Sequence, residues 1–161
     1  MKPSVYIDTS IPSYYVDTRP SLEVHIRRTR VWWDEEWEYY QVYTSPFVLR
    51  ELSEGDFPNK PQAIELAHRA SLLNPTPEID EIVRDYLDNF LMPISDDRDG
   101  YHLAFTSFYK IDYLLTWNCE HLANVNKRRH IAKINQRLEL FVPIITTPLE
   151  LLPSEGGTQY V

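Results

Sequence analysis

Short apolar segments alternate with longer stretches of helical periodicity along this chain, and this alternation constrains the fold more than any other feature. Four segments are typical of strands, because each is short, apolar and bounded by polar or turn-forming residues. Strands that are separated by helices form a parallel sheet with helices packed on its faces. The sequence therefore predicts an α/β fold with strands at residues 5–8, 41–44, 113–116 and 142–146.

Helical periodicity fills the intervals between these strands. Apolar side chains recur at roughly every third or fourth position from Ser21 to Tyr40, and Ser21 suits the N-cap of this helix. Pro46, Pro61 and Pro77 suit the first turns of further helices, where a backbone N–H has no partner inside the helix. The predicted helices cover residues 21–40, 46–55, 61–73, 77–91 and 97–109.

The size of the chain predicts one domain. Its 161 residues, of which 43% are apolar, suffice for a single substantial core. We expect this domain to span residues 1–152 and residues 153–161 to form a flexible tail.

No apolar run reaches the roughly 18 residues that a membrane span requires. An apolar signal segment is not evident before Asp8, and the single Cys119 cannot form an internal disulfide, so we expect a cytoplasmic protein.

The net charge of −8 counts against general binding of nucleic acid, because affinity for phosphates comes largely from Lys and Arg. Two basic runs, residues 27–30 and 127–130, depart from this average. Such runs on helices are commonly solvated faces, so both interpretations stay open. Divalent cations in a cluster of carboxylates would also attract phosphates. A nucleic-acid interface, if present, is predicted at Lys127, Arg128 and Arg129.

Aromatic residues are abundant, with 4 Trp and 11 Tyr, and many of them fall between Trp32 and Tyr40. Aromatic rings can stack on single-stranded bases, but the helical spacing favours a core or a subunit interface. Trp32 and Tyr39 lie off the main apolar stripe, which gives this predicted helix more than one apolar face. We therefore expect it to contribute to a homodimer or to an interface with another protein.

Three acidic residues and one amide stand where strands end or helices begin: Asp8, Glu51, Asp99 and Asn118. Ligands of open α/β sheets gather outside the carboxyl ends of the strands. Each residue also has a structural explanation, as a helix cap, as a solvent-facing carboxylate or as a favourable charge at a helix start. Together they predict a site for Mg²⁺ or Mn²⁺, which prefer oxygen ligands and support phosphodiester hydrolysis.

At these positions the chain resembles the PIN-domain nucleases, in particular the VapC-like toxins of type II toxin–antitoxin pairs. The resemblance extends from about residue 5 to residue 152. Its motifs are an Asp followed by Thr or Ser after the first strand, an early helical Glu, an Asp that opens a helix, and a Thr-x-Asp or Thr-x-Asn after a later strand. The matching segments are Tyr6-Ile7-Asp8-Thr9-Ser10, Leu49-Arg50-Glu51-Leu52, Asp99-Gly100-Tyr101-His102-Leu103-Ala104 and Thr116-Trp117-Asn118.

This resemblance implies a three-layer fold, with a mainly parallel sheet flanked by helices, and a metal-dependent endoribonuclease that pairs with an antitoxin protein. It implies that Asp8, Glu51 and Asp99 hold one or two Mg²⁺ or Mn²⁺ ions at which RNA is hydrolysed. Asn118 stands where many relatives have Asp, and its amide oxygen can coordinate a cation but adds no charge. The neighbouring hydroxyls would orient the carboxylates or a bound water by hydrogen bonding to them. These hydroxyls belong to Thr9, Ser10 and Thr116.

Other interpretations remain at this stage. His102 follows Asp99 by three helical positions, so it is either a general acid or a packed structural residue, and the same choice applies to His121. A dehalogenase-type phosphatase would need a second Asp where Ser10 stands. A Gly-rich nucleotide loop is not found among the 4 glycines. The main alternative to an enzyme is a degenerate PIN-like module that only binds other proteins.

Overall fold

The computed structural model describes residues 1–89, 91 and 97–151. Its centre is a five-stranded sheet in which every neighbouring pair of strands is parallel. The order across the sheet is β3-β2-β1-β4-β5. Phe90 of the predicted helical stripe and the predicted tail, residues 153–161, lie outside the described residues. The strands are β1 (Ser4–Ile7), β2 (Gln41–Thr44), β3 (Ser71–Leu72), β4 (Tyr113–Leu115) and β5 (Ile144–Thr146).

Helices connect these strands and cover the sheet, which confirms the predicted α/β fold with a parallel sheet. Prolines stand in the first turns of α3, α4 and α5, where they remove no helical hydrogen bond. In the described residues no helix is long and apolar enough to cross a membrane. The helices are α1 (Ser10–Val16), α2 (Glu23–Val31), α3 (Pro46–Glu54), α4 (Lys60–Ala67), α5 (Pro77–Asp88), α6 (Arg98–Phe108) and α7 (Val125–Arg137).

The strand order creates a point at which the direction of the chain across the sheet reverses. From β1 the chain moves outward through β2 to β3, and it then returns to the other side of β1 to form β4 and β5. Right-handed crossovers consequently place α1 to α4 on one face and α5 to α7 on the other. The side chains of Val5, Tyr6 and Ile7 in β1 are fully buried between these layers. The reversal lies between β1 and β4, where α/β sheets bind their ligands.

The predicted helix over residues 21–40 is wrong in its continuity. Ser21 lies in a 3₁₀ turn rather than at an N-cap, and α2 begins two residues later. After α2 the chain passes through a π-helical turn at Trp32–Glu36 and a 3₁₀ turn at Trp37–Tyr39. The wider π turn rotates the residues that follow it. Trp32 stands at the start of this turn and continues the buried face of α2 that Ile26 and Thr29 form, so it is fully buried and belongs to the core rather than to the expected partner surface.

The predicted helix over residues 61–73 is also too long. Helix α4 ends at Ala67, and Ser71–Leu72 forms the edge strand β3 against β2. The backbone N–H of Leu73 donates to the carbonyl of Thr44, which extends this pairing by one bond. A strand of two residues has no periodicity of its own, so the apolar pattern of α4 runs into it without a break.

Candidate functional site

Asp8 lies immediately after β1, at the point where the chain reverses across the sheet. Its backbone N–H donates to the carbonyl of Leu115 in β4, which joins the carboxyl ends of the two central strands. The residue is 4% exposed, and its carboxylate lies among hydroxyl groups. Ser10 donates to Oδ1 through its backbone N–H, at 3.0 Å, and through its hydroxyl. The Thr116 hydroxyl donates to Oδ2, so both oxygens are held from inside the protein.

Glu51 reaches the same edge of the sheet from α3. This helix begins directly after β2, with Pro46 in its first turn, and Glu51 lies in its second turn. The hydroxyl of Thr9 donates to Oε1 of Glu51 at 2.7 Å, and Nε2 of His102 lies 2.5 Å from the same oxygen. The side chain is 16% exposed. It is therefore a largely buried carboxylate, not the solvent-facing Glu that is usual on a helix.

Asp99 lies in the first turn of α6, where the helix dipole favours a negative charge. Its charge acts on both Asp8 and His102, so the three carboxylates belong to one electrostatic environment. Asp96, which precedes this helix, lies outside the described residues.

Asn118 follows β4 and shapes the turn after it. Its backbone N–H donates to the Thr116 hydroxyl at 2.9 Å, and that hydroxyl in turn donates to Asp8. Its side-chain oxygen accepts from the backbone N–H of His121 at 3.0 Å. Asn118 thus adjoins the carboxylates through Thr116, and its amide oxygen already caps a turn.

His102 is buried beneath the carboxylates, at 2% exposure. Both of its ring nitrogens have partners, because Nε2 contacts Glu51 and Nδ1 lies 2.8 Å from the Tyr6 hydroxyl. This geometry favours the structural alternative over a general acid, which needs a nitrogen that faces the substrate. His121 has a third of its side chain exposed and lies 3.8 Å from Glu120.

Tyr6 and Ser45 belong to the site although no motif of the sequence predicts this. Tyr6 extends the network from His102 to Ser45, whose hydroxyl lies 2.8 Å from the Tyr6 hydroxyl. In the sequence Tyr6 is one apolar position of a strand. Ser45 stands at an N-cap position, yet its hydroxyl bonds to Tyr6 and not to the helix backbone. A hydroxyl in an otherwise apolar, buried strand was the one available signal, because buried tyrosine hydroxyls require partners.

Burial, neighbouring charges and hydrogen bonds together shift the pKa values of Asp8, Glu51 and His102. Burial raises the pKa of Asp8, the charge of His102 and the two hydroxyl bonds oppose this, and the charge of Asp99 adds to it. Burial alone would raise the pKa of Glu51, but the hydrogen bond and charge of His102, with the Thr9 bond, lower it. For His102, burial opposes the charged form, and Glu51, Asp8 and Asp99 outweigh it, so its pKa is raised. Glu51 and His102 therefore stabilise each other as an ion pair.

The donor set suits a hard divalent cation. In the part of the chain that the structure describes, no three His, Cys, Asp or Glu side chains are grouped closely enough to hold a metal ion together. Mg²⁺, however, retains several waters and commonly takes one or two protein carboxylates. An ionised carboxylate has about four acceptor positions. The hydrogen bonds to Asp8 use two on Oδ1 and one on Oδ2, and those to Glu51 both use Oε1, so each retains acceptor capacity.

Solved structures with the same fold were found, although the sequence matches no family model and no curated protein. VapC20 of Mycobacterium tuberculosis, a sarcin–ricin-loop-cleaving toxin, aligns with a TM-score of 0.56 at 15% identity, over 73% of this chain and 92% of VapC20. FitAcB from Neisseria gonorrhoeae aligns with a TM-score of 0.53 at 18% identity, over 91% and 99% of the two chains. FitAB bound to an IR36 DNA fragment aligns with a TM-score of 0.53 at 15% identity, over 92% and 97%.

The chain has the PIN-domain fold. At these identities the likeness is one of fold, and it confirms the fold that the resemblance in the sequence implied. Within this PIN fold the three carboxylates come from a strand end, from the second turn of one helix and from the first turn of another. These elements are far apart in the sequence, and the reversal between β1 and β4 brings them to one edge of the sheet.

The basic run of residues 127–130 lies at the start of α7 in this PIN fold. The Lys127 ammonium donates to the carbonyl of Leu91, and the charge of Asp99 acts on it, which places Lys127 near Asp99. Arg128 pairs with Glu150 at 3.0 Å, whereas Arg129 is exposed. The predicted phosphate-binding residues therefore share one helix end next to the site, but they differ in their surroundings.

Proposed function

We propose that this PIN-domain protein is a divalent-metal-dependent endoribonuclease and the toxin of a toxin–antitoxin pair. One observation carries the proposal: Asp8 and Glu51 are buried or largely buried at the edge of the sheet where the chain reverses and are held there by hydroxyl groups, and the charge of Asp99 acts on Asp8. Burying charged carboxylates is unfavourable unless a function or a counter-charge compensates for it. The likeness to VapC20, a sarcin–ricin-loop-cleaving toxin, supports the same assignment.

In this proposal Asp8, Glu51 and Asp99 bind one or two Mg²⁺ or Mn²⁺ ions, each of which would take one or two of these carboxylates and retain several waters. A bound ion of this kind supplies an acidified water and stabilises charge on the phosphate. Ser10 and Thr116 fix the Asp8 carboxylate so that its remaining acceptor position has one direction. Thr9 performs the same task for Glu51. Asn118 would offer an amide oxygen at the edge of the site while it caps the turn that carries Thr116.

The same proposed function gives roles to the basic run and to the surfaces that would contact other proteins. Lys127, on which the charge of Asp99 acts, and the exposed Arg129 would bind RNA phosphates, with Arg128 between them. An antitoxin protein is the proposed partner, and a homodimer is the proposed assembly. An endoribonuclease of this kind would act in the cytoplasm, where its RNA substrate is found.

A protein-binding module without catalytic activity is the second candidate. The observations that favour it are that the amide oxygen of Asn118 is used as a cap and that His102 already neutralises Glu51. A relic of this kind would keep the fold and its partner but would bind no Mn²⁺.

RNA cleavage by the purified chain in Mg²⁺ or Mn²⁺, with EDTA added to a parallel sample, decides between the nuclease and the binding module. We expect cleavage that EDTA abolishes, and we expect Asp8→Asn to lower the rate by about 100-fold or more, because metal-assisted stabilisation is worth several kcal/mol. Asp112→Asn is the matched control. Asp112 also accepts bonds from the backbone and hydroxyl of a serine, Ser4, but it lies just before β4, at the opposite edge of the sheet.

The control variant should cleave RNA at the wild-type rate. If the wild type cleaves none of a broad panel of single-stranded and structured RNAs, or if Asp8→Asn cleaves as fast as the wild type, the nuclease assignment fails. The binding module then becomes the better explanation.

A further inference from the structure

A continuous chain of hydrogen-bonding groups runs through the core and ends on Glu51. It begins at the Ser45 hydroxyl, continues through the Tyr6 hydroxyl to Nδ1 of His102, and passes from Nε2 of His102 to Oε1 of Glu51. Tyr6 and Ser45 are fully buried. These two residues come from β1 and from the start of α3, whereas His102 comes from α6 on the other face of the sheet.

The direction of hydrogen bonding in this network is set at Glu51. Oε1 of Glu51 lies 2.5 Å from Nε2 of His102, and a carboxylate oxygen accepts hydrogen bonds. Nε2 of His102 therefore carries the proton and donates. Thr9 donates to the same oxygen. Among the described residues, both hydrogen bonds to Glu51 thus fall on Oε1, which leaves Oε2 for a ligand.

The imidazole ring is also held by packing. The Phe47 ring stands edge-on to it at 6.2 Å, with an interplanar angle of 86°, and the Tyr6 ring is stacked on Phe105 at 6.4 Å. A core position needs no polar ring, because an aliphatic side chain of similar size fills it without any hydrogen-bonding requirement. The buried imidazole and phenol hydroxyl are therefore better explained by what they do to Glu51.

We propose that His102 and Tyr6 are positioning residues that fix Glu51 by Oε1, so that Glu51 offers the divalent cation a single oxygen, Oε2. This inference rests on the proposed metal-dependent function. Tyr6 sets the orientation of the imidazole, the imidazole sets the carboxylate, and neither residue contacts the cation or RNA. A bidentate Glu51 would need both oxygens free of strong donors. The chain of hydrogen bonds prevents this.

The test is the affinity of the full-length chain for Mn²⁺, measured by isothermal titration calorimetry, together with RNA cleavage as a function of Mn²⁺ concentration. His102→Leu removes the donor to Glu51 and should weaken Mn²⁺ binding about 10–100-fold, as is usual when the partner of a metal ligand is lost. His102→Gln keeps an N–H donor and should stay within about fivefold of the wild type. Cleavage at saturating Mn²⁺ should change less than the Mn²⁺ concentration that gives half the maximal rate.

Tyr6→Phe keeps the ring and removes only the hydroxyl. It should weaken Mn²⁺ binding by about 3–10-fold, because the imidazole loses its anchor. Tyr86→Phe is the matched control: Tyr86 is as fully buried and its hydroxyl also bonds to α6, but at Ser107, away from the carboxylates. Its Mn²⁺ affinity should equal that of the wild type. If His102→Leu does not fold, His102→Gln and the two tyrosine variants still decide the question.

Three results would contradict this inference in different ways. If the wild type binds Mn²⁺ and cleaves RNA while Tyr6→Phe and the folded His102 variants keep wild-type Mn²⁺ affinity, the positioning role is wrong and the proposed function stands. A loss of Mn²⁺ affinity in Tyr86→Phe as large as in Tyr6→Phe would likewise show a general effect of core polarity. If the wild type neither binds Mn²⁺ nor cleaves RNA, the proposed function fails and this inference fails with it.

Discussion

Two fully buried tyrosines, Tyr6 and Tyr86, each bond to helix α6, and the networks that they form differ in charge and in destination. The Tyr86 hydroxyl donates to Oδ1 of Asn135 at 2.7 Å and lies 3.3 Å from the Ser107 hydroxyl. The Asn135 amide donates to Ser107 and to the carbonyl of Phe141, each at 2.9 Å. This network is neutral and closes on itself. The Tyr6 network instead leads through His102 to a carboxylate at the edge of the sheet.

The difference shows what each network contributes. Buried neutral groups that satisfy one another join α5, α6 and α7 and specify a unique packing. Burial raises the pKa of Tyr86, against the opposing bonds to Ser107 and Asn135, and this keeps its phenol neutral. The network under Tyr6 contains a buried ion pair, which is weak evidence for stability because desolvation offsets the attraction. We therefore expect substitutions at both tyrosines to act on stability and only those at Tyr6 to act on metal binding as well.

The largest expected effect on stability is that of Asn135→Ala. This change removes three hydrogen bonds from a fully buried side chain and leaves polar partners without replacements, so it should lower the free energy of unfolding by about 2–4 kcal/mol. Urea denaturation measures this loss. Asn89→Ala, which removes a half-buried amide at the end of α5, is the control and should lose less than about 1 kcal/mol. Equal losses in the two variants would contradict a special role for the buried network.

The next effect distinguishes the two networks by how much Mn²⁺ stabilises the variants. Mn²⁺ at 100 times its dissociation constant should stabilise the fold by about 2.7 kcal/mol, since it binds the folded chain and relieves repulsion between carboxylates. Thermal melting with and without EDTA measures this gain. Asp8→Asn should lose most of it, whereas Tyr86→Phe should keep all of it. A gain that survives Asp8→Asn would place the bound metal elsewhere.

The parts of this molecule that the sequence predicts are those that local rules determine. Asp8 could be identified because a short apolar strand ends there, and the edge at which it meets Asp99 follows from parallel pairing of the strands. The contact between Tyr6 and His102 spans 96 positions and depends on how α6 packs, which no local pattern encodes. The apolar pattern of the sequence leaves Trp32 off the buried stripe because it counts Thr29 as polar, whereas the buried face of α2 includes Ile26, Thr29 and Trp32.

A smaller effect is expected of Tyr86→Phe on stability. Loss of its hydroxyl removes two bonds, but a neutral ring of the same shape fills the space, so the free energy of unfolding should fall by about 1 kcal/mol. Tyr6→Phe should lose a similar amount, as measured by the same urea titration. The two variants then differ in Mn²⁺ affinity and not in stability. If Tyr6→Phe proved much the less stable, the Tyr6 network would be primarily a stabilising element.

The smallest expected effect is that of Tyr40→Phe on how the melting temperature changes with pH. Tyr40 packs edge-on against Tyr113 and tilted against Trp32, and burial, with smaller effects of Glu36 and Tyr113, raises its pKa to about 12. Because the folded state holds this proton more tightly than the unfolded state does, the contribution of Tyr40 is fully present below pH 10 and is lost as pH rises towards 12. Melting temperatures measured across this interval should fall more steeply for the wild type than for Tyr40→Phe, by about 2 °C. Parallel curves for the two proteins would show that the Tyr40 phenol ionises as it does in the unfolded chain.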